Sequence, residues 1–234
     1  MKLKHTLPAY STLDHIHIDD QLLEQLRSCI SVLENDFKSV LEINKGFCGL
    51  NHDFTKSVYD SFLQVSLTDS TVENKEISME ECEISNQTLA LNGHRNKQAL
   101  AFDNNSVLNE ATYTEKTETY KRFANIFDKI VEQFKGSPTR IRLVKMTAGS
   151  NILPHIDYDP SYAVRVIIPI ISDNECVNVF WVKNKVETVS LLPGNAYFLN
   201  TGYKHAVMNF SKHDRYTFMI SVKGTEDIEH LIRK

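Results

Sequence analysis

The stretch "YAVRVIIPIISDNECVNVFWV", residues 162–182, decides the fold, because it holds two runs of β-branched and aromatic residues separated by the turn-forming sequence "SDNE". Such runs are typical of β-strands. Further runs of this kind are "RIRLVKM" before it and "VETVSLL", "AYFLN" and "RYTFMISV" after it, with "AGSN", "KNK", "PGN" and "NTGY" as turns. Residues 139–224 are therefore predicted to form six or seven short antiparallel strands.

Two amphipathic segments upstream of this region predict helices. The first runs from about Asp19 to Lys38, with apolar residues at helical spacing and Asp19 or Asp20 as the N-cap. The second lies in "EKTETYKRFANIFDKIVEQFKGSP" and ends at Gly136 and Pro138. The whole pattern predicts a mainly β protein with flanking helices, built as a β-sandwich or jelly roll.

The region between the two helices is polar, with many Ser, Thr, Asn and Glu residues across positions 64–115. The short apolar alternations "FLQVSL", "QTLALNG" and "QALAFD" predict strands joined by polar loops, although this composition also permits local disorder. His94 and Arg95, in "NGHRNK", are candidates for substrate contacts, because functional residues often lie on such loops.

Composition excludes several classes of partner. The chain has 234 residues, 41% of them hydrophobic, and a net charge of −4, and it contains no block of Lys or Arg. We therefore expect a soluble protein that binds neither nucleic acid nor membranes. The four cysteines are widely spaced without a Cys-x-x-Cys pair, which indicates reduced structural thiols. Because "MKLKHTLPAY" has no apolar segment behind its basic residues, a cytoplasmic location is expected.

The tripeptide His-Ile-Asp occurs twice, in "HIHIDD" at residues 15–20 and in "PHIDYD" at residues 154–159. The first copy stands directly before an amphipathic helix, where an aspartate is a good N-cap or first-turn acid. His15 and His17 alternate with isoleucines, as in an extended approach to the helix. The first copy is therefore predicted to be structural.

The second copy predicts a metal site. His155 and Asp157 would project to the same face of an extended segment and chelate one ion. His205 follows fifty residues later, after the turn "NTGYK", and completes the two-histidine, one-carboxylate set typical of non-haem Fe(II). Ten residues further, Arg215 begins the strand "RYTFMISV", and its planar fork suits the carboxylate of a dicarboxylate cosubstrate.

The stretch Arg142–Gly224 resembles the aspartyl/asparaginyl β-hydroxylase family of Fe(II)- and 2-oxoglutarate-dependent oxygenases. The matching features are "AGSNILPHID", "VRVIIPI", "PGNAYFLNTGYKHAVMN" and "HDRYTFMISV", in this order. The resemblance implies a double-stranded β-helix, also called a jelly-roll or cupin-like core. Vertebrate members have glycine at the position of Asp157, so this chain is more similar to bacterial members that hydroxylate free amino acids such as proline.

The same resemblance implies the chemistry. Fe(II) would be held by His155, Asp157 and His205, 2-oxoglutarate would be oriented by Arg215, and O2 would be the second cosubstrate. The expected dioxygenase hydroxylates an unactivated C–H bond of an amino acid, an amino-acid derivative or a peptide residue, and releases succinate and CO2. Arg165, in an apolar strand, is expected to contact a carboxylate of cosubstrate or substrate, with a protein acid as the alternative partner.

Two further functions stay open from the sequence. One is a β-helix binding module without catalytic activity, and the other is a cupin-like metalloenzyme that does not use 2-oxoglutarate. The expected organisation is an N-terminal region of helices, strands and loops (1–138), a catalytic β-helix core (139–224) and a C-terminal tail (225–234). These three parts are predicted to form one structural domain. The sequence does not indicate the oligomeric state.

Overall fold

The computed structural model of the protein describes residues 3–39, 61–71 and 110–232. The predicted strands "QTLALNG" and "QALAFD", the candidates His94 and Arg95, and two of the cysteines, Cys48 and Cys82, lie outside the described residues. The other two cysteines, Cys29 and Cys176, are free and buried, as expected of structural thiols. Within the described ranges, no helix has the length and apolar character needed to cross a membrane.

The described residues form three α-helices, four short 3-10 helices and thirteen strands. The helices are α1 (Asp20–Leu33), α2 (Glu118–Arg122) and α3 (Ala124–Val131), with 3-10 turns at Leu3–His5, Glu34–Asp36, Glu110–Thr112 and Glu229–Leu231. The strands are β1 (Tyr10–Thr12), β2 (Lys38–Ser39), β3 (Phe62–Ser66), β4 (Thr68–Ser70), β5 (Tyr113–Lys116), β6 (Ser137–Met146), β7 (Asn151–His155), β8 (Val164–Ile171), β9 (Cys176–Val182), β10 (Lys185–Ser190), β11 (Tyr197–Leu199), β12 (Lys204–Asn209) and β13 (Arg215–Lys223).

These strands form two main antiparallel sheets. The larger sheet has the order β1-β11-β8-β13-β6-β3-β2, and the smaller has the order β10-β9-β12-β7; β4 and β5 make a separate pair. Because most neighbours in the two sheets are far apart in sequence, with the β9-β10 hairpin as an exception, the chain passes repeatedly between the sheets, as it does in a jelly roll. The predicted fold class, mainly β with flanking helices around a jelly-roll core, is confirmed.

The alternation of side chains along β13 separates two cores. Tyr216, Phe218, Ile220 and Val222 belong to the larger core, which also contains the apolar faces of α1 and α3. Met219 points the other way, into a smaller core shared with Phe180 of the facing sheet. Since successive side chains of a strand point to opposite faces, residues 215, 217, 219 and 221 face the space between the sheets. The functional side chains described below lie in this space.

Helix α1 begins as predicted and ends earlier than predicted. Asp19 is its N-cap, and the Asp19 Oδ1 atom accepts a hydrogen bond of 2.7 Å from the backbone N–H of Leu22. The helix ends at Leu33, because Lys38 and Ser39 pair with β3 at the edge of the larger sheet. The predicted extension to Lys38 is therefore wrong.

The second predicted helix is interrupted. Phe123, with φ −117° and ψ 24°, separates α2 from α3, while Tyr120, Phe127 and Ile130 are buried as the apolar stripe predicts. Helix α3 ends at Val131, so the predicted end at Gly136 and Pro138 is wrong: Gly136 directly precedes β6, and Pro138 lies within that strand. A side chain at Gly136 would place a Cβ atom 2.6 Å from Val222 Cγ1 and 2.9 Å from the backbone oxygen of Lys223, so the close approach of the Gly136 backbone to β13 requires glycine.

Asp19→Ala is expected to lower the free energy of unfolding by about 1 kcal/mol, because the substitution removes a helix N-cap. Mn(II) binding should stay unchanged, since Asp19 belongs to the first His-Ile-Asp copy. Chemical denaturation and a Mn(II) titration measure the two quantities. Asp20→Ala is the matched control, as Asp20 lies in the first turn and does not cap the helix. An equal loss of stability in both variants would contradict the capping role.

Candidate active site

The pairing of β7 with β12 brings together three side chains that are separated in sequence. His155 and His205 are direct cross-strand partners, and their ring centroids lie 4.2 Å apart. Asp157 follows β7, where its backbone N–H donates a hydrogen bond of 3.1 Å to the carbonyl oxygen of Thr201. One potential ligand atom from each of the three residues lies within 4.8 Å of the other two. This spacing suits a single metal ion.

Hydrogen bonds fix the tautomers of both histidines. His155 Nδ1 lies 2.7 Å from the carbonyl oxygen of Leu153, and His205 Nδ1 lies 3.1 Å from that of Tyr203. Since a carbonyl oxygen only accepts hydrogen bonds, each Nδ1 atom carries the hydrogen in the neutral ring. The Nε2 atoms are then left with a lone pair for a metal, which is the usual arrangement of histidine ligands.

The electrostatics keep Asp157 and His205 in their ligand forms at neutral pH. Burial raises the pKa of Asp157, but the stronger combined effect of His155, His205 and Arg165 lowers it to about 2. Burial also lowers the pKa of His205 to about 4. His205 is 6% exposed, whereas the side chains of His155 and Asp157 are 33% and 32% exposed. The group is therefore anchored on the buried side and open on the other.

Arg215 lies at the start of β13, buried between the sheets. Within the described residues, its Nε and Nη2 atoms have no hydrogen-bond partner. The adjacent carboxylate of Asp214 does not pair with it, because Asp214 accepts from the Lys145 ammonium and the Ala148 backbone. Burial lowers the pKa of Arg215 to about 10, an effect that Cys176 partly offsets. A buried guanidinium with free donors is costly unless it meets an anion, so this position fits a carboxylate ligand such as that of 2-oxoglutarate.

Arg165 has a protein acid as its partner. Its Nη2 atom lies 3.1 Å from Glu110 Oε1 and 3.9 Å from Asp157 Oδ2. Glu110 is also buried, and it accepts hydrogen bonds from Arg140 at 2.5 Å and from Tyr158 at 2.6 Å. Arg165 therefore adjoins the triad, and its expected contact with a bound carboxylate stays a prediction.

Glu110 was missed by the sequence analysis. It lies near the end of the polar region 64–115 and outside each of the three apolar alternations found there, so nothing marks it as a buried residue. The available signal was indirect: an arginine inside the apolar strand "VRVIIPI" requires an anion nearby. That requirement does not say which of the many acids in the chain supplies it.

The first His-Ile-Asp copy holds no metal-ligand group in the described parts of the chain. His15 Nε2 lies 2.8 Å from Asp227 Oδ1, and Asp227 also accepts from the backbone N–H groups of Lys135 and Gly136. Within residues 3–39, 61–71 and 110–232, the triad above is the one group of three His, Cys, Asp or Glu side chains close enough to share an ion.

The sequence profile of the aspartyl/asparaginyl β-hydroxylases matches residues 69–224 of the 234. The chain belongs to this family. As a member of the aspartyl/asparaginyl β-hydroxylase family, it is a hydroxylase of the 2-oxoglutarate- and Fe(II)-dependent class, with Fe(II), 2-oxoglutarate and O2 as cofactor and cosubstrates. The predicted family, enzyme class and cofactors are confirmed, and the two alternative functions are disfavoured.

Solved structures resemble the chain only distantly. A prolyl-4-hydroxylase from Pseudomonas putida is 10% identical over 94% of both chains, with a TM-score of 0.47. SnoN, a non-haem α-ketoglutarate-dependent epimerase from nogalamycin biosynthesis, is 12% identical over 98% of this chain and 86% of its own, with a TM-score of 0.46.

Other matches are partial. One is Peruvianin-I, a cysteine peptidase from Thevetia peruviana latex, which is 15% identical and has a TM-score of 0.30. The alignment covers 38% of this chain and 52% of Peruvianin-I, so the chain spans about half the length of that protein. At such scores the structural similarities say nothing about the substrate of this β-hydroxylase family member. A comparison of the sequence with curated proteins found no match.

Proposed function

We propose that this oxygenase hydroxylates an unactivated C–H bond of an amino acid, an amino-acid derivative or a peptide residue. In this proposal His155, Asp157 and His205 hold Fe(II), and Arg215 holds one carboxylate of 2-oxoglutarate, whose other end binds the metal. The bound iron, with 2-oxoglutarate and O2, supplies the oxidising power for the C–H bond, and succinate and CO2 are released. The protein positions these groups and excludes water.

The observation that carries the proposal is the preorganised triad. Both histidines donate Nδ1–H to backbone carbonyls, which leaves their Nε2 atoms and the Asp157 carboxylate available to a metal, and one potential ligand atom from each residue lies within 4.8 Å of the other two. Two nitrogens and one carboxylate oxygen are the ligand set of 2-oxoglutarate-dependent iron enzymes, which leaves other coordination positions open. His155 and His205 are held by the same strand pair, so their separation is set by the sheet and not by flexible loops.

Arg215 contributes binding and orientation. Its guanidinium has a rigid fork that matches a carboxylate with two parallel hydrogen bonds. Because it is buried, these charge-assisted bonds form in a region of low dielectric constant, where they are stronger than in water. A dicarboxylate anchored here is held at a fixed distance from the triad.

The apolar surroundings exclude water from one side of the site. His205 stacks on Phe180, with ring centroids 6.0 Å apart, and Phe180 belongs to the smaller core between the sheets. Such an environment keeps the reaction away from bulk solvent. On the other side, the groups nearest to Asp157 are charged, because Arg165 and Glu110 lie there. Charged surroundings favour a polar substrate over a lipid.

A screen tests the substrate class. Free amino acids, short peptides and, for comparison, fatty-acyl compounds are incubated with the enzyme, Fe(II) and 2-oxoglutarate. We expect at least one amino acid or peptide to stimulate succinate release and to gain the mass of one oxygen atom. The His155→Ala variant is the control for release that does not depend on the metal site. A response confined to fatty-acyl compounds, or no response to any compound, would overturn the substrate assignment.

The cytoplasmic location, the absence of nucleic-acid and membrane partners, and the division into residues 1–138, 139–224 and 225–234 stay predictions. They follow from the composition and charge of the chain and from the extent of its β-rich region.

A further inference from the structure

Arg142, on β6, is like Arg215 in having two buried hydrogen-bond donors without a partner among the described residues. It is 7% exposed, and within the described residues its Nε and Nη1 atoms have no partner. Its Nη2 atom contacts the thioether of Met219, with 3.0 Å between Nη2 and Sδ. A thioether is a weak acceptor and does not neutralise a guanidinium. Arg142 therefore carries a buried positive charge that its hydrogen bonds do not satisfy.

Arg142 faces the same space as the metal triad. Two residues along β6, Val144 packs in the smaller core with Phe180, the ring on which His205 stacks. The thioether of Met219 is also in contact with Arg165, at 3.0 Å from Nη1, so the two guanidiniums flank one sulfur atom. Arg165 in turn lies 3.9 Å from Asp157. This chain of contacts leads from Arg142 to the metal ligands.

Among the residues that the structure describes, the charges around Arg142 do not balance. Arg140, Arg142 and Arg165 surround one buried carboxylate, that of Glu110, and Arg140 and Arg165 already occupy it with direct ion pairs. Burial, followed by repulsion from Arg140 and Arg165, lowers the pKa of Arg142 to about 9. Natural proteins rarely bury an unpaired charge unless a ligand completes the site.

The cosubstrate does not fill this position if the proposed function holds, because Arg215 and the metal already account for its two ends. Along the paired strands, Arg215 lies opposite Met146 and Arg142 lies opposite Met219. The two arginines are thus four residues apart along the sheet, roughly 13 Å at strand spacing. Arg142 needs a different anion.

We infer that Arg142 binds a carboxylate of the substrate, so that the substrate is a free acid of the amino-acid type and not an internal peptide residue. This inference rests on the proposed function. An internal residue has its carboxyl group in an amide bond and offers no charge to the buried guanidinium. A free acid offers a full negative charge and strong acceptor oxygens, to which the free Nε–H or Nη1–H group of Arg142 can donate a charge-assisted hydrogen bond.

The test uses the full chain with Mn(II) and 2-oxoglutarate, without O2, so that binding is measured and not turnover. The probes are the twenty common amino acids and their carboxamides, and the readout is the melting temperature. We expect at least one acid to raise the melting temperature while its carboxamide does not. Arg142→Met should remove this response. Arg27→Met, on the exposed face of α1, should keep it and controls for the loss of one positive charge.

The response to 2-oxoglutarate separates the two proposals. If 2-oxoglutarate with Mn(II) stabilises neither wild type nor variant, the proposed function fails. If it stabilises both, three results overturn the role of Arg142: acids that stabilise Arg142→Met as much as wild type, carboxamides that bind as well as acids, or no binding by any acid.

Stability without ligands distinguishes a binding role from a structural one. Arg142→Met removes a buried charge that no other described residue pairs with, and it keeps a similar side-chain volume. Without ligands, the melting temperature of the variant should therefore equal that of wild type or exceed it by about 3 °C. A lower melting temperature would mean that Arg142 stabilises the fold, and the inference would be overturned.

Discussion

Replacing His155 or His205 by alanine is expected to weaken Mn(II) binding by more than about 100-fold, since loss even of a residue that only orients a ligand commonly reduces metal affinity 10- to 100-fold. Each variant removes one of the three protein ligands, and the two that remain bind the ion too weakly to compete with its hydration by water. Isothermal titration with Mn(II), used as a stand-in for Fe(II) without O2, measures the effect. His155→Ala is the more informative variant, because this side chain is 33% exposed and its loss should disturb the fold little.

His17→Ala is the matched control for this prediction. His17 belongs to the same tripeptide, His-Ile-Asp, in its N-terminal copy, and its side chain is exposed. The variant should bind Mn(II) as tightly as wild type. Loss of the metal in His17→Ala, together with unchanged binding in His155→Ala, would show that the wrong copy had been chosen.

Arg215→Met is expected to weaken 2-oxoglutarate binding by about 10- to 100-fold, which corresponds to roughly 1.5 to 3 kcal/mol for hydrogen bonds to a charged group. Arg215→Lys should lose most of the same affinity, because an ammonium keeps the charge and lacks the planar fork. Titration of Mn(II)-loaded protein with 2-oxoglutarate measures this loss. Mn(II) binding itself should change little, since Arg215 is not one of the three ligands.

Arg27→Met serves as the control here too, because Arg27 is an exposed arginine whose ion pair with Glu24 lies on the surface of α1. It should bind 2-oxoglutarate like wild type. Unchanged affinity in Arg215→Met would exclude Arg215 as the anchor. Weaker binding of both 2-oxoglutarate and Mn(II) in this variant would instead indicate a general disturbance of the space between the sheets.

The strongly patterned elements could be read from the sequence. The runs "RIRLVKM", "YAVRVIIPII", "VNVFWV" and "RYTFMISV" correspond to β6, β8, β9 and β13, because β-branched and aromatic residues are typical of strands. Strand β12, which carries His205, was not predicted as a strand. Its sequence "KHAVMN" is short and has no clear alternation of polar and apolar residues, so its conformation depends on pairing with β7 and β9.

The two helices show the same limit. The apolar stripe predicts which side chains are buried, and Tyr120 and Phe127 are buried accordingly. It does not predict the break at Phe123, or the end of α1 at Leu33. Helix ends and interruptions are set by what the neighbouring segments do, since tertiary contacts override weak local preferences.

The sequence by itself determined the chemistry of the individual elements: the two-residue spacing of His155 and Asp157, an aspartate N-cap at position 19 or 20, and the presence of arginines within apolar strands. These features depend on neighbours along the chain, whose geometry is fixed by the strand and helix periods.

Only the tertiary structure decided which distant side chains meet. The pairing of β7 with β12 places His205 opposite His155, and Glu110 rather than another acid joins Arg165. The packing of the two sheets also buries Arg142 and Arg215 with donors that no other described residue satisfies. Periodicity specifies which face of a strand is buried, but the partner and register of that strand depend on contacts across the whole fold, and a local pattern contains no information about them.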